Sequence, residues 1–168
     1  RTRMQTADIV IVGGGCMGAA TAYYLTRDAG LRVVLVERDA QLGTGSTGRN
    51  AGGVRHQFSD PANIALSRES IALFERFEAA IGTPIDFWQD GDLFLLSSPD
   101  SVAAFETSVA LQRSLGLDVA WLTGAEAAAM TPGLDATGVL AATFCAKDGI
   151  TDPNGVTMGF AKAAQQRG

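Results

Sequence analysis

The feature that most constrains the fold of this chain is a run of three glycines directly after a short apolar segment. Residues 8–12 read Asp-Ile-Val-Ile-Val, and the hexapeptide Gly-Gly-Gly-Cys-Met-Gly follows at 13–18. An apolar, β-branched run without polar alternation predicts a strand that is buried on both faces. Residues 17–28 favour a helix ended by Gly30, and residues 32–36 form a second apolar run. The pattern predicts a βαβ crossover of about thirty residues.

The hexapeptide fits G-x-G-x-x-G in the structural context that this motif requires. Gly13 permits a tight turn, Gly15 lets the backbone approach a pyrophosphate, and Gly18 lets helix and strand pack closely. Backbone amides near Cys16 and Met17 are then expected at the positive end of the helix, facing the phosphates. The motif therefore predicts a dinucleotide site.

An acidic residue stands where such a site requires one. Glu37 ends the second predicted strand, nineteen positions after Gly18. A carboxylate at this place accepts hydrogen bonds from the ribose hydroxyls and disfavours a 2′-phosphate. Arg38 either lies along the adenine or is a solvated charge, and the sequence leaves both open.

The composition excludes several classes of function. The chain has 168 residues, of which 46% are hydrophobic, and its net charge of -5 comes without a basic cluster, so we expect no nucleic-acid or anionic-lipid partner. No apolar run approaches the roughly 20 residues of a membrane span. Cys16 and Cys145 lack a CxxC or CxxH context, which predicts small buried residues and no disulfide or metal site. We expect a cytoplasmic protein and assign no function to residues 1–5.

The remainder of the chain predicts a change of topology. A glycine-rich loop at 42–53 places a special demand on the backbone. Residues 85–88 and 92–97 predict a hairpin or meander, not another crossover, through the turn at 89–91. Helical patterns and caps complete an α+β arrangement: a helix from Asp60-Pro61 to Gly82, a helix over 101–115, a capping box at Thr123 to Glu126, a strand over 139–145 and a helix begun by Asp152-Pro153.

Residues 8–25, 33–38 and the loop 43–55 together resemble the D-amino acid oxidase (DAO) family of FAD-dependent oxidoreductases. The similarity continues through residues 91–95 and 148–153. Relatives include glycine oxidase, sarcosine oxidase and dimethylglycine dehydrogenase. The resemblance implies an α/β plus α+β fold, in which a Rossmann-like FAD-binding βαβ unit of the glutathione-reductase type is joined to part of an antiparallel-sheet substrate domain. The chain corresponds to the N-terminal portion of such an enzyme.

The resemblance also divides the chain into three segments. The FAD-binding βαβ unit and flavin loop take residues 6–58, and a portion of the substrate domain takes 59–147. Residues 148–168 form a return segment and a helix of the FAD domain, which we expect to lead to a further strand. This arrangement implies that the rest of the domain comes from remaining C-terminal chain or from a partner subunit.

The family's cofactor contacts carry over to matching positions of this sequence. The pyrophosphate turn of the family corresponds to Gly13, Gly15, Met17 and Gly18, its ribose-binding acid to Glu37, and the neighbour of that acid on the adenosine side to Arg38. The pair that meets the diphosphate and ribityl region corresponds to Ser46 and Thr47. The stretch that passes the flavin ring corresponds to Arg49, Asn50, Ala51, Gly52 and Gly53. Some relatives attach flavin through a Trp-His pair where this chain has Gly48-Arg49. The resemblance therefore implies non-covalent FAD.

Two residues are candidates for a role in catalysis. His56 is the only histidine and follows the flavin loop, so it is a candidate proton-transfer group, although a lone histidine is more often a packing residue. Arg55 either attracts a substrate carboxylate or forms a structural ion pair. The aromatic residues Trp88, Phe94, Phe105 and Trp121 are expected in the core rather than in a pocket.

The function that this resemblance implies is oxidation of a C–N bond in a small amine or amino acid, with hydride transfer to flavin. The relatives return the electrons to oxygen or to an electron carrier. Two other functions stay open on the sequence alone. One is an NAD-dependent dehydrogenase, since both dinucleotides use the same first βαβ unit. The other is a non-catalytic piece that needs the rest of an enzyme.

Overall fold

The structure is a computed structural model that describes residues 6–167. The residues 1–5, to which we assign no function, and Gly168 at the end of the third predicted segment lie outside the described residues. The chain divides into two compact units. Unit 1 comprises residues up to 52, 76–87 and from 151 onward, and unit 2 comprises 53–75 and 88–150.

Helices and short strands alternate along the chain. The helices are α1 (Cys16–Asp28), α2 (Pro61–Phe74), α3 (Phe77–Ile81), α4 (Pro99–Ser114), α5 (Gly124–Met130) and α6 (Pro153–Gln165), with a 3-10 turn at Thr47–Arg49. The strands are β1 (Ile9–Val12), β2 (Val33–Val36), β3 (Gly53–Val54), β4 (Phe87–Trp88), β5 (Asp92–Leu96), β6 (Ala120–Leu122), β7 (Ala141–Cys145) and β8 (Gly149–Thr151).

Unit 1 contains the predicted βαβ crossover. Strands β1 and β2 pair in parallel, with Ile9 opposite Val33 and Val12 opposite Val36. Helix α1 connects them and ends before Gly30, whose φ of +61° places it in the left-handed region that glycine favours. The Rossmann-like start that the glycine pattern predicts is therefore confirmed.

An aromatic cluster holds the helices of unit 1 together. The ring of Phe160 on α6 lies 5.6 Å from that of Tyr23 on α1 and 5.1 Å from that of Phe77 on α3. All three side chains are almost fully buried. The Tyr23 hydroxyl also donates to the Ala80 carbonyl at 3.3 Å. Because aromatic side chains bury large apolar areas, this cluster is a main source of stability in unit 1.

The single helix predicted between Asp60 and Gly82 is wrong, because the chain breaks it into α2 and α3. Arg76 has φ -124° and ψ 22°, outside the helical region, and caps the start of α3. The buried face of α2 belongs to unit 2, whereas Phe77 packs on Phe160 in unit 1. Apolar residues at helical spacing continue through the break, so the local pattern could not reveal it.

Unit 2 is built on an antiparallel sheet in the order β5-β7-β6. Asp92 lies opposite Cys145, and Leu96 lies opposite Ala141. Val109 of α4 and Val119 pack with Cys145 in a buried cluster that Leu117 and Trp121 partly cover. Cys145 is buried as expected, whereas Cys16 is only partly buried, and both are free thiols.

The predicted hairpin of β4 and β5 is also wrong. Strand β5 pairs with β7, whereas β4 lies beside β8 in a sheet of order β3-β8-β4. The Gly91 amide donates to the Asp148 carbonyl at 2.9 Å, so the turn after β4 faces the β7–β8 connection. The two strands therefore pair with partners more than forty residues away in sequence, a distance that local turn chemistry does not encode.

The aromatic residues expected in the core divide into two groups. Trp121 is partly buried against the cluster of unit 2, and the rings of Phe94 and Phe105 lie 5.4 Å apart. Trp88 is 57% exposed, so its expected core position is wrong. Its strand has only two residues and is not buried on both faces.

The helices between residues 6 and 167 include none with the length and apolar character of a membrane span.

Candidate functional site: a glycine turn held by Glu37 and Thr47

The turn after β1 has the geometry that the three glycines predict. Gly13 has φ +105°, which an L side chain rarely adopts, and its amide donates to the Val36 carbonyl at 2.8 Å. A Cβ atom at Gly18 would run into the Gly13 carbonyl oxygen, so the first turn of α1 approaches β1 as closely as a glycine allows. The turn is therefore tight and has no room for a side chain at Gly18.

Glu37 holds the turn from the end of β2. Its Oε2 accepts a hydrogen bond from the Gly14 amide at 2.6 Å, and its Oε1 accepts one from the Asp39 amide at 3.0 Å. The Asp39 and Gly14 amides lower the pKa of Glu37, because they stabilise the charged form. A carboxylate has about four acceptor sites. The ionised side chain therefore keeps capacity for the two hydroxyls of a ribose.

The start of α1 carries no negative charge. Gly15 is the N-cap residue and has no side chain to cap the helix, and the first turn carries no acidic residue. The Cys16 amide, which we expected to face phosphates, instead donates to the Thr47 hydroxyl at 3.0 Å. Thr47 therefore joins the flavin loop to the helix start, next to the exposed Met17. The positive end of α1 is suited to hold a pyrophosphate.

The glycine-rich loop at 42–53, called the flavin loop, is held by contacts that the sequence did not indicate. The Gly43 amide donates to the Gly14 carbonyl at 2.9 Å, and Gly43 has φ +78°. A Cβ atom at Gly43 would lie 3.8 Å from both Asn154 Oδ1 and Thr157 Cγ2 at the start of α6. Glycine richness indicated that the loop had a special backbone, but no local pattern indicated that α6 packs on it.

The second half of the loop is held by its own side chains. Asn50 accepts a hydrogen bond from the Gly52 amide at 2.6 Å and donates to the Thr47 carbonyl. Gly52 has φ +80°, and its carbonyl accepts from the Thr151 amide at 2.9 Å. The predicted contact residues Ser46, Arg49 and Ala51 are exposed on this loop. Its conformation thus depends on Asn50 and on glycine.

The structure brings most predicted cofactor residues together in unit 1, and places the others in unit 2. The side chain of Arg38 is 92% exposed and lies 3.4 Å from Asp39, which fits a solvated charge in this state. Gly53, Arg55 and His56 belong to unit 2. The residues that unit 1 holds are Gly13, Gly15, Met17, Gly18, Glu37, Arg38, Ser46, Thr47, Arg49, Asn50, Ala51 and Gly52.

Arg55 is a cation held by aromatic rings. Its guanidinium carbon lies 5.4 Å from the ring centre of Phe58 and 5.4 Å from that of Phe94. Among the described residues no carboxylate lies within ion-pair distance of it, so the structural ion pair that the sequence left open is not seen. Burial raises the pKa of the neighbouring Asp92, with Asp148 adding to the effect and Arg55 opposing it.

His56 lies in the interior of unit 2, where only 5% of it is exposed. Its Nδ1 and its backbone amide lie 2.8 and 2.7 Å from Asp148 Oδ1. Gln57 Nε2 donates to Asp148 Oδ2 at 3.1 Å. His56 therefore packs in the interior and binds the Asp148 carboxylate. This placement gives no support to a role as an exposed catalytic base.

These features fit the adenosine and pyrophosphate part of a dinucleotide. The glycine turn is free of side chains, the first turn of α1 carries no acidic residue, and Glu37 is ionised with acceptor capacity to spare. The residues present therefore fit FAD. The non-covalent attachment that the resemblance implies at Gly48-Arg49 stays a prediction.

Comparisons with known proteins support this description. Residues 8–168 match the family described as FAD dependent oxidoreductase. The chain is 33% identical to FAD-dependent oxidoreductase domain-containing protein 1 of Xenopus laevis, over 98% of this chain and 35% of the relative. It is 31% identical to mitochondrial dimethylglycine dehydrogenase of Rattus norvegicus, over 96% of this chain and 19% of the relative.

A solved structure gives the same result. The L-proline dehydrogenase of P. horikoshii is 33% identical, with a TM-score of 0.88, over 99% of this chain and 43% of that chain. The chain thus spans less than half the length of these relatives. The glycine turn and the position of Glu37 agree with the family match. The chain belongs to the DAO family of FAD-dependent oxidoreductases, whose cofactor is FAD.

Proposed function

We propose that this chain carries the FAD-binding start of an enzyme that oxidises a C–N bond in a small amine or amino acid, with hydride transfer to the flavin. The observation that carries the proposal is the clamp in which Glu37 binds the Gly14 amide at the mouth of the glycine turn. Bound FAD supplies the two-electron acceptor for this oxidation. The names of the relatives, which act on proline and dimethylglycine, support the substrate class.

In this proposal the residues of unit 1 bind and orient the cofactor. Glu37 accepts hydrogen bonds from the ribose hydroxyls, and backbone amides of the turn and the positive end of α1 hold the pyrophosphate. Ser46, Thr47 and the loop to Gly52 hold the part toward the flavin. Because Thr47 also accepts from the Cys16 amide, cofactor loop and helix start are held as one body.

Arg55 is our candidate for binding a substrate carboxylate. The residue is exposed, no acidic side chain among the described residues forms an ion pair with it, and Phe58 and Phe94 restrict the position of its guanidinium. A guanidinium presents parallel N–H donors that match a carboxylate. The ring contacts reduce the entropy lost when it binds one. This proposal assigns His56 no role in proton transfer.

We also propose that further polypeptide covers one face of unit 1. Val10, Val12 and Val36 of the parallel strands are exposed, by 58%, 86% and 42%. A cavity of about 440 Å³ lies beside β2 and is lined largely by apolar side chains of β2, α1 and α6. Parallel strands are normally covered on both faces. Longer sequence of the same protein or a partner subunit would supply this cover, and the greater length of the relatives supports it.

The test of the proposed function is anaerobic mixing of the flavin-loaded protein with a panel of small amines. The panel contains L-proline, glycine, sarcosine and dimethylglycine, each tested at the same concentration. We expect the visible absorbance of the oxidised flavin to disappear with at least one of them and to return when oxygen or an artificial electron acceptor is added. The intact mass of the preparation, compared with the encoded length, shows how much polypeptide is present.

Two controls make this test specific. Butyrate and lactate carry a carboxylate but no C–N bond, so they should leave the flavin oxidised. NADH in place of FAD tests the alternative dehydrogenase, which would gain support if the protein bound NADH and ignored FAD. A protein that binds FAD and is bleached by no amine would contradict the proposed substrate class while leaving the cofactor assignment intact. The cytoplasmic location of the protein stays a prediction.

A further inference from the structure

A trio of side chains that can ligate a metal lies buried within unit 2, apart from the cofactor turn. His56, Cys145 and Asp148 each offer one ligand atom, and these atoms all lie within 4.8 Å of one another. His56 follows β3, Cys145 ends β7, and Asp148 precedes β8. All three residues are buried. Nitrogen, sulfur and carboxylate oxygen are the ligands that Zn²⁺ takes in proteins.

The turn that carries two of these residues has the form of a metal-binding turn. Cys145 and Asp148 are separated by two residues, and the Asp148 amide donates to the Cys145 carbonyl at 3.1 Å. This spacing equals that of the C-x₂-C pairs of structural zinc sites, with aspartate in the second place. Neither CxxC nor CxxH describes this turn, because its second ligand is an aspartate.

The buried carboxylate lacks a permanent counter-charge. Asp148 is fully buried, and among the described residues its one ion-pair partner is His56, which is cationic only when protonated. Its oxygens accept hydrogen bonds from the His56 amide and ring and from Gln57. A buried charge is costly unless it is paired or coordinates a metal. A divalent cation would supply the compensation that neutral donors give only in part.

The residues around the trio support it as outer partners of a metal site do. Gln57 donates to Asp148 Oδ2 and also to the Asp92 carbonyl at 2.9 Å, while its own oxygen accepts from the Thr143 hydroxyl at 2.8 Å. Gln57 therefore holds Oδ2 of the carboxylate, while His56 contacts Oδ1. Such a second layer of hydrogen bonds orients the ligands of metal sites.

A route to the trio exists from one side. His56, Cys145 and Lys147 line a cavity of about 260 Å³ within unit 2. The same cavity is lined by two cationic side chains and two carboxylates, Arg68, Lys147, Glu75 and Asp118, so it carries no net repulsion against a cation. Arg68 is engaged by the Leu115 carbonyl and Glu75 by Gln89. Water in this cavity would complete a four-coordinate ion.

We propose that His56, Cys145 and Asp148 form a binding site for Zn²⁺ or a similar borderline-soft divalent cation, with a water from the cavity as the fourth ligand. The Cys145 sulfur–hydrogen bond breaks, a sulfur–metal bond forms and the thiol proton goes to solvent. The imidazole coordinates through a ring nitrogen that carries no proton and keeps its proton on the other nitrogen, and the Asp148 carboxylate binds in its ionised form. No electron transfer is involved, and one proton is released for each ion bound.

The experiment is a titration of the chelator-treated protein with Co²⁺, which reports its ligands through its absorption spectrum, followed by competition with Zn²⁺. We expect one equivalent of Co²⁺ to produce visible bands of a tetrahedral ion and a near-ultraviolet thiolate-to-metal band, both abolished by Zn²⁺. Cys145→Ser should lose the thiolate band and bind at least about tenfold more weakly. Cys16→Ser is the matched control and should keep both, since Cys16 lies in unit 1.

A second variant keeps the test decisive if the first does not fold. Gln57→Leu leaves all three ligands in place and should weaken binding by roughly 10–100-fold, the usual effect of removing an outer partner. Circular dichroism establishes the fold of each variant. A folded wild-type protein that gives no thiolate band with Co²⁺, or a band that is lost equally in Cys16→Ser and Cys145→Ser, would overturn the proposal.

Discussion

Replacing Gly18 by valine should separate FAD binding from folding. A Cβ atom at Gly18 would meet the Gly13 carbonyl oxygen, a backbone atom that cannot swing aside, so the turn must open by roughly an ångström. The two methyl groups of valine add to this displacement. Overpacking of this kind costs about 1–3 kcal/mol of stability. For a chain of this length that corresponds to a fall in Tm of roughly 2–4 °C for each kcal/mol.

The loss of FAD affinity should be larger than the loss of stability. An opening of this size breaks hydrogen bonds between turn amides and the pyrophosphate, each worth about 1.5–3 kcal/mol because the acceptor is charged. Loss of two such bonds weakens binding by at least about 100-fold. The assay is a titration of FAD at fixed ionic strength, in which quenching of flavin fluorescence reports binding and circular dichroism reports folding.

Gly45→Val is the matched control for this prediction. Gly45 lies in the same cofactor region, has open space around its Cβ position and does not have a positive φ. Its valine variant should therefore bind FAD within about threefold of the wild type, because it displaces no backbone. Folded Gly18→Val that binds FAD as tightly as Gly45→Val would refute the claim that this turn holds the pyrophosphate.

Further predictions concern the ribose acid, the substrate cation and the core of unit 1. The pKa of Glu37 is lowered in the folded protein, so its contribution to stability is complete above its unfolded pKa and is lost as pH falls through its folded pKa. The FAD affinity of the wild type should fall over the same acidic range. Glu37→Gln should bind FAD weakly at all pH values, and the control Glu106→Gln should match the wild type. Arg55→Met should raise KM for carboxylate-bearing substrates at least about tenfold and lower kcat less, with Arg76→Gln as the control. A lowered kcat with an unchanged KM would instead indicate a role in the chemical step. Phe160→Ala should lower the free energy of unfolding by about 3–5 kcal/mol in a urea titration. The control Met158→Ala, at an exposed position, should lower it by less than about 0.5 kcal/mol. Similar values for the two variants would contradict the aromatic core of unit 1.

The parts of the fold that local chemistry determines were predictable from the sequence. The run of β-branched residues, the glycine turn and the acid at Glu37 identify the crossover, since each is a demand made by residues near in sequence. The caps at Asp60, Thr123 and Asp152 are confirmed for the same reason, because each side chain accepts from amides two or three residues ahead.

The parts that failed depend on distant partners. Strand β5 pairs with β7 and not with β4, and the break between α2 and α3 follows from packing of Phe77 on α6. The trio of His56, Cys145 and Asp148 joins residues 92 positions apart, and only the folded sheet brings them together. Strands of two or three residues, such as β3 and β8, carry too little sequence for a periodic pattern.

The measurement that tests the central claim most directly is a visible absorption spectrum of the purified protein before and after addition of FAD, followed by denaturation. The account predicts a flavin spectrum, shifted from that of free FAD while the protein is folded and released unchanged into the supernatant on denaturation. Release is expected because Gly48-Arg49 offers no histidine for a covalent link. A folded protein, complete by intact mass against its encoded length, that stays colourless and does not perturb added FAD would contradict the account.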